Sequence, residues 1–449
     1  MTLLDERKRW LALYVLCAGE LMIVLDTTVV NVALPSIRAD LGFTEATLVW
    51  VVNAYMLTYG GFLLLGGRMG DLFGNRRLFL AGIALFTAAS VACGIAGSQT
   101  FLVAARAIQG LGGAVVSAVA LALIVNLFTE AEERAKAMGI YGFVCAAGGS
   151  IGVLLGGLLT DALNWHWVFL INLPIGAAVY AWTTGLLARD RGQDRKTRLD
   201  VWGAVTVTTS LVLAVYAIVN HQLVLLIAAA VLLGLFLLIE ARIASPLMPL
   251  RMFRVRSLSV ASVAGALWAA AMFAWFFISA LYMQDLGYSA MQIGLSFLPA
   301  NLIMAAFSLG WSAKLVMRFG ARAPLIWGLA LTAIGLALFT PAPADGRFLL
   351  HVLPGMILLG VGCGMAINPV LLVAMADVTQ DEAGLASGIV NTAFMMGGAL
   401  GLAVLASLAA LTGGYPIAFG AGAAFAAAAA LIVAFGLEKE RKTVLATPS

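Results

Sequence analysis

The chain has 449 residues, 62% of them hydrophobic and only 11% charged, with 26 Lys and Arg against 22 Asp and Glu. A soluble domain carries about a quarter charged residues to keep its surface in water, so this composition excludes a soluble enzyme, a nucleic-acid-binding protein and a disordered scaffold. It fits a polytopic membrane protein, and 48 Gly with 10 Trp and 23 Phe suit close-packed helices in lipid.

A helix that crosses a bilayer takes about 20 mainly apolar residues. Taken in chain order, the apolar runs predict fourteen such helices, over 10–36, 47–67, 77–97, 101–126, 136–160, 167–187, 201–219, 222–241, 257–283, 291–313, 323–341, 348–374, 386–411 and 415–436. The first follows Arg7, Lys8 and Arg9, but it is too long for a signal-peptide core and no small-residue cleavage site is in view. No connector is long enough for a soluble domain. With the N-terminus placed inside, 23 of the 26 basic residues fall in cytoplasmic segments, Arg38 and Arg347 fall outside, and Arg106 lies within a span. That asymmetry predicts an even number of crossings with both termini cytoplasmic. Cys17, Cys93, Cys145 and Cys363 sit inside apolar runs without metal-ligand spacing and read as packing residues, so no metal site is expected.

The chain echoes itself. Gly67-Arg-Met-Gly-Asp71-Leu-Phe-Gly74-Asn-Arg76-Arg77 returns in degenerate form at Ala313-Lys-Leu-Val-Met317-Arg-Phe-Gly320-Ala-Arg322, displaced by 246 residues. Gly110 and Gly112 match Gly360 and Gly362 at a displacement of 250, and Gly139, Gly148 and Gly152 match Gly388, Gly397 and Gly401 at 249. The expected architecture is therefore all-α: a six-helix bundle over 1–190, two inserted helices over 191–245 and a second six-helix bundle over 246–449. Repeated halves with a site between them are the plan of an alternating-access carrier.

Three charges stand well inside predicted spans, away from their ends: Glu20 and Asp26 in the first, Arg106 in the fourth. An ionisable group costs several kcal/mol there, so each is a functional candidate. Rise along the two helices puts Asp26 and Arg106 at similar depth, where an Asp tuned by an Arg could take up and release a proton, or the two could form a purely structural ion pair. Glu20 lies roughly 120° around the helix from Asp26, facing either the cavity or a neighbouring helix. Asn31, Asn53, Tyr55, Gln109, Trp275, Asn301 and Asn391 are polar or amphipathic positions in apolar spans and are candidates to line a substrate cavity. Gly148, Gly152 and Gly156, with Gly149 and Gly157 beside them, give one helix a face on which another backbone can approach closely. His166, His221 and His351 lie near outer helix ends, away from any proton relay, and no Walker-type Gly-Lys-Ser/Thr is present to suggest ATP.

These residues resemble the major facilitator superfamily, and within it the fourteen-helix drug:proton antiporter branch, over essentially the whole chain. The run from Gly67 to Arg77 is similar to the superfamily's loop 2–3 signature. There the resemblance implies a conformational latch made by Gly67, Asp71, Gly74, Arg76 and Arg77. Leu25-Asp26-Thr-Thr-Val-Val-Asn31-Val-Ala-Leu-Pro35 resembles the branch's first-helix motif, whose Asp serves proton coupling or cation recognition. Arg106-Ala-Ile-Gln109-Gly110-Leu-Gly112-Gly113 resembles its fourth-helix motif, whose Arg is linked to proton transfer. Trp165-His-Trp167-Val-Phe-Leu-Ile-Asn172-Leu-Pro174 fits the branch with His166 where Arg is usual, and the fifth-helix glycines (Gly148, Gly152, Gly156, Gly157) resemble the antiporter motif with Val153 where Pro is usual.

The resemblance implies a proton-driven exporter of apolar or cationic small molecules in the cytoplasmic (inner) membrane. Its partners are a small-molecule substrate, protons and the bilayer, with no nucleic acid; it acts as a monomer without a cofactor, on the proton gradient alone. The alternative is a proton-linked carrier of a specific physiological metabolite. A membrane enzyme would gather His, Asp or Glu at one membrane face, which the sequence does not do.

Overall fold

The computed structural model describes residues 6–187, 199–243, 246–341, 343, 345–379 and 382–437. The described residues form helices α1 (Glu6–Leu41), α2 (Glu45–Phe73), α3 (Asn75–Gly94), α4 (Gln99–Leu127), α5 (Ala131–Ala162), α6 (Trp167–Leu170), α7 (Asn172–Leu186), α8 (Val201–Val219) and α9 (Leu223–Arg242). They continue with α10 (Arg256–Asp285), α11 (Ala290–Ala306), α12 (Ser312–Phe319), α13 (Arg322–Ala337), α14 (Leu353–Met375), α15 (Ala383–Thr412) and α16 (Pro416–Gly436). Thirteen segments are long and apolar enough to cross a membrane, α6 with α7 and α11 with α12 each counting as one, and α13 is a shorter apolar helix. The fold is all-α, as the apolar runs predict.

Boundaries differ from the expectation for local reasons. The first helix outruns 10–36 at both ends and carries Pro35 internally; the ring withdraws only the backbone donor that would have met the Asn31 carbonyl. The 167–187 run is broken at Ile171 into α6 and α7. The 323–341 run stops at Ala337 as a helix and continues as turns towards Pro341. Phe307–Trp311, between α11 and α12, and Phe348–Val352, before α14, are π-helical turns.

Two sets of helices pack in the same pattern. In the first set α1 packs on α5 and α7, α2 on α4, and α3 on α4 and α7; in the second α10 packs on α15 and α16, α11 on α14, and α13 on α14 and α16. The turns match too. Gly42 and Gly287, and Gly74 and Gly320, all have positive φ, and the helices after the first pair open with capping boxes, Thr44 with Thr47 and Ser289 with Gln292. The hairpin of α8 and α9 lies between the sets in sequence, and α8 touches both α2 and α15.

We call the end from which α1 starts the near end. Polar ties there include Arg9 with Glu133, Arg76 with the Thr184 carbonyl and Arg256 with the Gly436 carbonyl. Far-end ties include Arg38 with Glu45 and Tyr415 with Asp285. Burial, then that bond to Asp285, raises the Tyr415 phenol well above its ordinary range.

Candidate functional site

Five side chains from the first helical set converge in the apolar interior. Asp26 and Arg106 are each only 1% exposed. Arg106 donates through Nη1 to Asp26 Oδ2 (2.5 Å) and to Gln109 Oε1 (2.6 Å), and through Nε to the Val51 carbonyl (2.9 Å). Its guanidinium lies over the Tyr55 ring at 4.5 Å and the Phe169 ring at 5.6 Å, a cation–π setting that offsets part of its lost hydration. The other carboxylate oxygen, Asp26 Oδ1, accepts from Gln109 Nε2 (2.6 Å) and Asn172 Nδ2 (3.1 Å). Ser90 Oγ in turn accepts from both amides, at 2.7 and 3.3 Å.

Local sequence explains how each group arrives. Gly110 lies against the Tyr55 carbonyl, where a Cβ would collide, so α4 can approach α2 closely enough for Arg106 to reach Val51. Arg106 and Gln109 are three apart on α4 and therefore share a face. Asn172 opens α7 just past the break at Ile171, which turns its amide inward. Sequence reasoning named Asp26, Arg106 and Gln109 but assigned no role to Ser90 or Asn172. Asn172 was visible as a lone amide in an apolar stretch; nothing distinguished Ser90.

Glu20, 6% exposed, does not join this cluster. Its Oε1 accepts from Ser117 Oγ (3.1 Å), its Oε2 is buried without a protein partner, and the phenols of Tyr59 and Tyr141 stand nearby.

The fifth-helix glycines serve two surfaces. Gly148, Gly152 and Gly156 lie against Val24, Thr28 and Val29 of α1, the helix that carries Asp26, whereas Gly157 meets the backbone of Ala290 and Met291 at the start of α11. Val153 is buried, with its carbonyl against Gly294. Beyond them, Asp161 at the end of α5 accepts from Ser289 Oγ (2.7 Å), Ala290 N (3.1 Å) and Met291 N (2.9 Å). A carboxylate of the first set thus caps a helix of the second, where unpaired N–H groups and the helix dipole favour negative charge. Sequence inspection passed over Asp161 because a charge at a span end looks solvated.

The cavity candidates are dispersed. Asn53 donates to the Ala399 carbonyl across the α2–α15 seam (2.9 Å) and leaves its Oδ1 unpaired; Tyr55 stacks on Tyr59 with its hydroxyl unpaired. Trp275 packs on Phe276 and Phe297 with Nε1 unpaired, and Asn301 is buried with Nδ2 unpaired. Asn31 bonds back to the Thr27 carbonyl, and Asn391 is exposed and bonds to the Ser387 carbonyl. Of the latch residues, Gly74 supplies the positive φ between α2 and α3, Gly67 borders open space, Arg76 ties α3 to α7 and Arg77 is exposed. The Asp71 side chain lies outside the described residues. Among the described residues no group of three or more His, Cys, Asp or Glu could hold a metal ion.

A profile described as Major Facilitator Superfamily matches residues 16–402 and, overlapping, 262–448. The chain is 40% identical over 411 residues to the puromycin resistance protein pur8 of Streptomyces alboniger, covering 89% of this chain and 82% of that one. It is 39% identical over 409 residues to the cephamycin export protein CmcT of Amycolatopsis lactamdurans (88% and 84%). To the lincomycin resistance protein of Streptomyces lincolnensis it is 37% identical over 420 residues (90% and 85%). Its fold is similar to that of an auto-inhibited POT family peptide transporter, with a TM-score of 0.73 over 99% of each chain at 16% identity.

Proposed function

The chain belongs to the Major Facilitator Superfamily, and from that premise we propose that it is a proton-driven antiporter exporting apolar or cationic small molecules by alternating access. It is a multi-pass membrane transporter, not an enzyme, related over most of its length to drug and antibiotic exporters. In this reading the near end, with both termini, faces the cytoplasm, in keeping with the distribution of Lys and Arg.

The observation that carries the proposal is the cage of N–H donors around the buried Asp26 carboxylate. Its two oxygens accept from Arg106, Gln109 and Asn172, all through N–H donors. Three of its roughly four lone-pair sites are taken, and a proton on the remaining site of Oδ2 neutralises the carboxylate and leaves Arg106 buried without its counter-ion. Protonation and rearrangement of α1 against α4 are therefore one event. A buried ion pair is weak support for stability alone, since its desolvation offsets its attraction; a reversible proton carrier gives the pair a function. Glu20, with one free buried oxygen, is a second carboxyl in reach of protons or of a substrate cation, and it lies closer to the near end. In this reading the unpaired atoms of Asn53, Tyr55, Trp275 and Asn301 are polar groups that a rearrangement would make available to substrate.

The test is efflux into inverted membrane vesicles. Asp26→Asn should abolish proton-coupled transport while the protein still reaches the membrane, and Glu20→Gln should reduce it or change which substrates are carried. Wild-type transport by both variants would overturn the coupling assignment. A panel of cationic dyes, neutral antibiotics and metabolites tested for protection of a pump-deficient host separates an exporter of many compounds from a carrier of one metabolite.

A further inference from the structure

Two more carboxylates are as deeply buried as the central pair, and the transport route does not use them. Asp200, the N-cap of α8, is 1% exposed, and Glu240, near the end of α9, is 3% exposed. We propose that they form a separate proton-binding site, a carboxyl–carboxylate pair holding one proton, which fastens the near end of the α8–α9 hairpin to the chain that enters the second helical set.

The geometry leaves one place for that proton. Asp200 Oδ1 accepts from Gly203 N (2.8 Å), Asp200 Oδ2 from Leu247 N (3.4 Å) and Glu240 Oε2 from Met248 N (2.9 Å). The fourth oxygen, Glu240 Oε1, is buried with no donor. A Cβ on Gly203 would collide with an oxygen of each, so both groups crowd one small volume over the first turn of α8. Two ionised carboxylates in such contact repel; with one proton on Glu240 Oε1 the repulsion becomes a hydrogen bond to Asp200 and every oxygen is satisfied.

Among the described residues the surroundings supply little compensating charge. On α9 itself Arg242 is exposed, and α8 brings no other charge to this end. The connector offers backbone N–H groups, with Leu247 packed on Leu65 of α2 and Ala204 of α8. On α2 the charged group of this end is Arg68, one turn beyond Leu65. Arg251, past the connector, pairs with Glu382 at 2.7 Å, and Arg254 is exposed.

Position gives the site its consequence. The carboxyls hold Leu247 and Met248, which lead into α10, while α8 spans the seam between α2 and α15. The proton therefore closes a link between the inserted hairpin and both helical sets, on the side opposite the Asp161 cap.

Infrared spectroscopy of the full chain in nanodiscs tests this, on an Asp26→Asn/Glu20→Gln background so that no other deeply buried carboxyl among the described residues contributes. Near neutral pH a protonated-carboxyl absorption should be present and should vanish in both Glu240→Gln and Asp200→Asn. A proton held by the folded but not the unfolded chain lowers the folded-to-unfolded ratio by up to about tenfold per pH unit as pH rises. The heat-denaturation midpoint should therefore fall with alkalinity in the parent and stay flatter in either variant, whose amide donates the missing hydrogen bond at every pH. An absorption that survives both substitutions, or one pH dependence shared by parent and variants, would overturn the proposal.

Discussion

Replacing Asp161 by Ala should release the far-end seam. The substitution removes three hydrogen bonds that a carboxylate of α5 accepts at the first turn of α11. Ser289 remains the N-cap, so the loss is that of cap-like bonds, about 0.5–2 kcal/mol by comparison with a lost N-cap, and of a negative charge at a helix N-terminus, about 0.3–1 kcal/mol at an exposed site. These overlap, so the closed form should lose about 1–2 kcal/mol. At about 1.4 kcal/mol per tenfold, that is a shift of roughly 5- to 30-fold toward far-end-open molecules. Gly157 and Gly294 bring the two backbones together one turn away, so closure should still be sampled. The assay is a spin-label distance distribution between the end of α5 and the start of α11 in nanodiscs. Asp161→Asn, which keeps an acceptor oxygen but loses the charge, should fall between parent and Ala variant. An Ala variant whose distances match the parent's would refute the reasoning, because the cap would then contribute nothing to closure.

Arg106→Met strands a buried carboxylate and should cost about 3–5 kcal/mol, seen as a lower denaturation midpoint in micelles. Adding Asp26→Asn should recover much of it while transport stays absent; a double variant no more stable than Arg106→Met would show that the pair is not coupled. Gly156→Leu places a side chain against the Val29 backbone and should cost about 1–3 kcal/mol through overpacking. Gly149→Leu points into open space and should leave the midpoint and membrane yield near the parent's.

The helices were legible because lipid leaves a chain no option but long apolar runs. Asp26 and Arg106 were legible for the same reason, since a charge in such a run is conspicuous. The rest of the cluster was less so: Gln109 was named only as a cavity residue, while Ser90 and Asn172 come from two further helices, and no spacing along the chain reports which faces will meet. Asp161, Asp200 and Glu240 were missed through their positions at span ends, where a carboxylate looks hydrated until the fold brings backbone N–H groups onto it. The repeat, read from glycines and one loop, extends to the α1–α2 and α10–α11 turns, where Gly42 answers Gly287 and Thr44 answers Ser289. Thr for Ser and Thr47 for Gln292 hid that match, because different residue types perform the same capping.

Every side chain in the Asp26 cluster comes from α1, α2, α3, α4, α6 or α7, and none from α10–α16. If the cluster couples protons as proposed, that machinery is self-contained, among the described residues, in one half of the polypeptide. On that proposal, drift in the other half can remodel what is carried without disturbing the coupling residues. A lineage that must keep pace with new toxic compounds has, in this layout, one half free to vary, and a hybrid carrying a relative's second half should inherit that relative's preferences.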